Sequence, residues 1–406
     1  MHESAPPAGP RHGVEAGAPS RHGVEAAPAP RHRVEAGSAP RRRVEVVDYL
    51  RFVAALSVVA FHYLYNGIKN GKVQGITHEP VIALAQYGYL GVNLFFMISG
   101  FVIVQSVRGK TARQFAVGRA LRLYPAFWVA VLITAGFALV LGGERMSVDL
   151  EQVLVNLTMI PTLLGQPFVD GVYWTLLYEL AFYAAVFVLV LLRQNGRVAA
   201  MMPAWAILMA VASQLAPHFA ANTPFLGGYF GYFAAGAVIA AIADSGWSVY
   251  RSLGLLAAYV TVVPYHDPVL TVLTTILFAV MLATLSPAVR SWRLPGSATA
   301  GALTYPLYLV HAHIGYMLLT RFATEENKWI VYTLILAFVL ALAYLLHMGV
   351  EKNPRARRFW KKLLDGTVGA LVGLVQSVLD PVLSRIPGAR SDAPRPTDDD
   401  RAPGGT

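Results

Sequence analysis

Two side chains able to do chemistry frame one apolar run. Residues 50–63 read LRFVAALSVVAFHY, with Arg51 at one end and His62 eleven residues later. On a helix they fall within about 20° of each other and roughly 16 Å apart along the axis. Histidine is the side chain tuned to act as a base near neutral pH. Arginine grips phosphate through a two-pronged fork. The bland alternative is a snorkelling Arg51 and a hydrogen-bonded core His62. Spacing alone weighs the two readings evenly.

Other polar side chains stand sparsely in apolar surroundings. Arg119 and Arg122 are spaced RxxR in GRALRLYPAFW, residues 118–128. Trp174, Glu179 and Tyr183 fall in VYWTLLYELAFY, residues 172–183. Asn93 and Ser99 fall in GYLGVNLFFMISGFVI, residues 88–103. Tyr308 and His311 share a helical face at i, i+3 in LTYPLYLVHAHI, residues 303–314. Polar groups inside a membrane are costly and face the bundle interior, which makes each a functional candidate. Each also has a structural reading: topology for the arginines, an interfacial belt for Trp174, core hydrogen bonding for Tyr308 and His311. Glu351 with Pro354 reads as structural. Glu179 sits about five residues into its span, at a depth similar to His62. It is expected to orient His62, bind acceptor hydroxyls or act as an acid. The chain has no cysteine, which removes thiolate catalysis and thiolate metal sites. Ser99 is open as a nucleophile, but packing beside Gly100 is favoured.

The elements that position these residues are membrane helices. Of 406 residues, 55% are hydrophobic and 14% charged, and the mean hydropathy is +0.50. A soluble globule carries about 25% charged residues. Apolar runs near the length that crosses a bilayer recur along the chain. About ten are expected: 46–65, 85–106, 124–141, 172–192, 198–215, 225–243, 253–263, 269–285, 302–320 and 329–348. Arg108, Lys110, Arg113, Arg119, Arg122, Arg193, Arg197, Arg251, Arg290 and Arg293 cluster in alternate loops. The positive-inside rule makes that side cytoplasmic, with both termini on it. The net charge of +10 therefore reads as topology rather than nucleic-acid binding.

Residues 1–45 repeat a ten-residue Pro-, Ala- and Gly-rich unit and are expected to be a disordered cytoplasmic tail. The histidines of the repeat, His12, His22 and His32, are too sparse for a metal site. Apolar residues at helical spacing after the last span predict an amphipathic interfacial helix over 361–387, near membrane lipids. Residues 388–406 are expected to be a second disordered tail.

The motifs, in this order, resemble acyltransferase family 3, the multi-span bacterial membrane O-acyltransferases. The resemblance covers about residues 46–360. It rests on Arg51-x10-His62 preceded by Asp48, on Phe-Phe-x-Ile-Ser-Gly, and on Arg119-x-x-Arg122. It rests also on Tyr-Trp-x-Leu-x-x-Glu and the Tyr-rich segment ending at His311. One departure is Pro306 between the two tyrosines of that segment.

The resemblance implies an all-α bundle in the cell membrane. It implies transfer of an acyl group from acyl-CoA to a hydroxyl of a sugar or glycoside, with no resident cofactor and no metal. His62 matches the catalytic histidine, and Arg51, Arg119 and Arg122 match basic positions suited to the phosphates of CoA. Glu179 and Trp174 match the acid and the aromatic. The competing class is a transporter or flippase, which would show inverted repeats and broken helices. An enzyme is expected to gather Arg51, His62 and Glu179 around one cavity.

Overall fold

The computed structural model describes residues 45–77 and 80–383. The two expected tails lie outside the described residues. Within them the chain is all-helical, a multi-pass membrane bundle with no strand.

Helix α1 (Glu45–Phe61) carries Arg51 and passes into a π-helical turn, His62–Asn66. Helix α2 (Leu90–Ser106) follows. Helix α3 (Ala112–Leu141) begins earlier than hydropathy predicts, because Thr111 and Gln114 close a capping box at its start. It thereby brings Arg119 and Arg122 into a helix rather than a loop. Helices α4 (Trp174–Leu191), α5 (Val198–Leu215) and α6 (Phe230–Ser245) come next. They are followed by α7 (Val249–Val262) and α8 (Pro268–Ala283).

The predicted span 302–320 is two helices, α9 (Ser297–Val310) and α10 (Ala312–Phe322), broken at His311. Asp170 accounts for the break. Its carboxylate accepts the backbone N–H of His313 at 2.9 Å and so caps the first turn of α10. Helix α11 (Lys328–Leu346) completes the bundle.

Helices α2 and α6 form its axis. Gly100 faces the Phe233 carbonyl and Gly236 faces the Met97 carbonyl, so any side chain at either glycine would collide with backbone. Helix α1 packs against α2 and α9, while α3 packs against α9 and α10. Among the described residues, seven helical stretches are long and apolar enough to cross a membrane, Pro354–Leu383 included. Leu139, Leu208, Ile330, Leu334 and Leu345 are exposed on outward faces, where acyl chains rather than water solvate them.

After α11, a π-helical turn (His347–Lys352) leads to α12 (Pro354–Leu364) and α13 (Ala370–Leu383). Asp365 pairs with Arg113 at 3.0 Å and Asp380 with Arg193 at 2.9 Å. Arg113 begins α3 and Arg193 follows α4, so both mark the end of the bundle where Arg119 and Arg122 stand. Two tethers at one end thus hold α12–α13 to that end of the bundle.

Candidate active site

Two cavities lie one above the other along the face of α1. The first, of about 230 Å³, is lined by Arg51, Arg119, Arg122, Ser99, Glu179 and Tyr183 among others. The second, of about 370 Å³, is lined by His62, Asn66, Lys72, Asn93, Asp170, His313 and Tyr316 among others. Val92 and Tyr308 line both, and form the wall between them. Arg51 and His62 therefore do share a face, as helical spacing predicts. They serve neighbouring chambers, not one.

The arginine cavity has largely apolar walls and gathers three positive charges, those of Arg51, Arg119 and Arg122. Arg119 lies over the Tyr183 ring at 5.7 Å and Arg122 over the Tyr305 ring at 5.2 Å. Glu351 binds Arg122 at 3.4 Å and His347 at 2.7 Å, so it steadies one arginine from behind. Arg51 and Arg119 have no carboxylate within ion-pair distance among the described residues. Their charge is available to an anion. Glu179 accepts hydrogen bonds from Ser99, at 3.2 Å, and from Tyr183.

Glu179 is the main departure from expectation. It lines the arginine cavity and makes no bond to His62. Counting from the start of α4 misjudged its depth, because the segment before that helix folds into the bundle. Asp170 and Tyr173 are wholly buried, and the Tyr173 hydroxyl reaches the Leu309 carbonyl at 3.1 Å. Helix α4 thus starts inside the protein, and Glu179, its sixth residue, is deeper than a surface start implies.

The histidine cavity is built on the π-turn and the α9–α10 break. Nδ1 of His62 bonds the hydroxyl of Tyr316, which also accepts from Asn66 Nδ2 at 3.0 Å. Asn66 accepts in turn from Asn70 at 2.9 Å. A side chain at Gly67 would collide with the Tyr316 ring, so this glycine lets the hydroxyl reach His62. π-turns widen a helix locally and recur at functional sites.

Across the cavity, Nε2 of His313 accepts from Lys72 Nζ at 2.9 Å and from the Gly171 N–H at 3.3 Å. That nitrogen is therefore unprotonated. Asp170 spends both oxygens on backbone, at Val172 (3.1 Å) and His313 (2.9 Å). It forms no ion pair with Lys72, whose cation is partly buried and lies 5.8 Å from the Tyr316 ring centroid. Burial lowers the Lys72 pKa below the usual lysine value, while Asp170 opposes that shift.

The remaining sequence candidates divide as follows. Asn93 and Trp174 line the histidine cavity, and Trp174 packs on Tyr229 with centroids 4.9 Å apart. Tyr308 holds the dividing wall through Thr175 Oγ1 (2.8 Å) and the Val172 carbonyl (3.1 Å). His311 lines neither cavity. It is wholly buried, its Nδ1 donates to the Tyr308 carbonyl at 2.8 Å, and its ring lies 5.1 Å from that of His62. Lys72, Asp170, His313, Tyr316 and Asn66 escaped the sequence reading. The signals present were the second histidine of His311-Ala-His313 and the acid just before the α4 segment.

Every residue named as lining these cavities falls within residues 44–348, the stretch that matches the sequence profile of the acyltransferase domain family, acyltransferase 3. The chain belongs to the acyltransferase 3 family. Known relatives of this acyltransferase 3 chain include the exopolysaccharide production protein ExoZ of Rhizobium meliloti (strain 1021). It is 33% identical over 105 residues, 24% of this chain and 32% of that protein. Nodulation protein 10 of Rhizobium leguminosarum bv. viciae is 30% identical over 159 residues, 34% of this chain and 41% of that protein. The matches thus span less than half the length of either relative. No solved structure matches the chain.

Proposed function

We propose that the protein is an integral membrane O-acyltransferase that moves an acyl group from acyl-CoA to a hydroxyl of a carbohydrate or glycosylated acceptor. The observation that carries this reading is the pair of abutting cavities, one lined by three arginines and the other by His62, inside an acyltransferase 3 domain. The name of one relative, an exopolysaccharide production protein, favours a sugar-bearing acceptor.

The arginine cavity takes the donor. Phosphates of CoA pair with Arg51 and Arg119, the two arginines without a carboxylate partner, and with Arg122. The basic loops make this end cytoplasmic, where acyl-CoA is found, and put both termini on that side. Helix α12–α13 then lies along the cytoplasmic membrane surface. The acyl thioester reaches the seam at Val92 and Tyr308.

The histidine cavity takes the acceptor. With its proton on Nδ1, His62 donates to the Tyr316 oxygen and holds a lone pair on Nε2. Nε2 takes the proton of the acceptor hydroxyl as that oxygen attacks the thioester carbonyl carbon. Collapse of the tetrahedral intermediate breaks the carbon–sulfur bond. The proton on Nε2 then passes to the CoA sulfur, giving ester and free thiol. The Lys72 cation lines the same cavity, where negative charge builds on the carbonyl oxygen. Glu179 binds its neighbours in the donor cavity and takes no proton from the acceptor.

The test separates the chambers. His62→Ala should cut transfer by about 10²- to 10⁴-fold, the usual worth of a general base, with acyl-CoA binding intact. Arg119→Ala with Arg122→Ala should instead weaken acyl-CoA binding. Both are read in lipid nanodiscs with radiolabelled acetyl-CoA. Full transfer by the His62 variant, or wild-type donor binding by the double variant, overturns the corresponding half.

A further inference from the structure

A third cavity, of about 260 Å³, adjoins the histidine cavity between the outer ends of α2, α6, α7 and α8. Tyr89, Asn93 and Tyr229 line both, so the two spaces share a wall of aromatic rings and one amide. At this seam Asn93 is only 4% exposed, and its Oδ1 has no hydrogen-bond partner. The Tyr232 hydroxyl lies within reach of both the Asn93 and Thr274 side chains. Among the described residues, no charged side chain lines this annex.

A buried acceptor left unpaired costs about 1–3 kcal/mol. Native proteins rarely leave one without a role. A ligand hydroxyl donating to Asn93 Oδ1 removes that cost. An alkyl chain in the same place leaves it unpaired. An ionic group finds no counter-charge in the annex. Flat aromatic faces with neutral hydroxyl and amide partners suit a neutral sugar ring, whose axial C–H groups pack on the rings while its hydroxyls bond at the edges.

We infer that the acceptor is at least a disaccharide: the sugar to be acylated sits against His62, and a neighbouring neutral sugar occupies the annex and donates a hydroxyl to Asn93. This rests on the histidine cavity being the acceptor site. Neither a lone monosaccharide nor a simple alcohol fills both spaces. The annex thus sets the length of acceptor that orients a hydroxyl toward the base.

The test is binding, not turnover. The protein in lipid nanodiscs is presented to an array of neutral mono-, di- and trisaccharides. Retention of some disaccharide or trisaccharide at least about tenfold above its component monosaccharides is expected, the size of one satisfied buried acceptor. Thr261→Trp and Leu270→Trp, which fill the annex from different helices and away from His62, should each remove that advantage. Their unfolding midpoints establish that they fold, and the wild-type length preference is decisive without them. His62→Ala should keep the preference, so loss of the catalytic reading and loss of this one are told apart. Equal retention of monosaccharides, retention of no neutral glycan, or an unchanged preference in folded tryptophan variants overturns the inference.

Discussion

The arginine and histidine cavities differ in how their side chains are held. In the first, Arg51, Arg119, Arg122 and Glu179 project from the regular helices α1, α3 and α4. In the second, His62 stands on a π-turn, Lys72 on a loop, Asp170 on an inserted segment and His313 beside a helix break. Regular helices suffice to present charge to a mobile anion, whose own flexibility absorbs error. A base must meet one proton at hydrogen-bond distance, and irregular backbone gives the extra freedom to place it. The arginine chamber is ordinary helix, and the chamber proposed to do the chemistry is built from the exceptions.

The sharpest way to break this division is at the shared wall. Val92→Phe should narrow the seam and misplace the thioester. Transfer should fall about a hundredfold, the cost of roughly an ångström of misplacement. Acyl-CoA binding, measured by equilibrium dialysis, should stay near wild type. A matching loss of donor binding would mean that the two chambers act as one.

Next in size is the cap that builds the histidine side. Asp170→Asn puts an amide N–H opposite the backbone donors of Val172 or His313. A loss of about 1–3 kcal/mol of stability is expected for a buried donor left unmet, read by thermal unfolding. Donor binding at the arginine cavity should survive below the new midpoint. A variant as stable as wild type would remove Asp170 as the cause of the α9–α10 break.

Tyr316→Phe tests positioning rather than proton transfer. It deletes the hydroxyl on His62 Nδ1 and leaves the ring. A two- to tenfold fall in kcat is expected, about the worth of one hydrogen bond. The KM for acyl-CoA should not change, and the acidic limb of the pH profile, which the proposed mechanism assigns to His62, should move. An unmoved limb with a lower kcat would reduce Tyr316 to packing.

The smallest effect concerns Lys72. Its cation exists below its pKa and is lost as pH rises through it. Burial depresses that pKa, so the loss comes at lower pH than for an exposed lysine. Lys72→Arg stays charged throughout. The alkaline limb of transfer should therefore shift upward in that variant. Identical alkaline limbs in the two proteins would show that Lys72 carries no charge role in the reaction.

The amino-acid sequence alone determined what depends on local periodicity and composition. The all-helical membrane bundle follows from apolar runs with few charges. The common face of Arg51 and His62 follows from the helical repeat, and the RxxR pair from the same arithmetic. Those properties are set within a dozen residues, and no distant contact overrides them. The tertiary structure alone decided depth and partnership. Glu179 joined the arginines because the segment holding Asp170 and Tyr173 is buried, which no count from a span boundary reveals. His313 entered the site while His311 was left behind it, because Asp170 from another part of the chain caps the helix between them. Lys72 became part of a cavity only when its loop met the His313 ring. Each of these rests on a hydrogen bond between groups far apart in the chain, whose geometry exists only once the helices have packed.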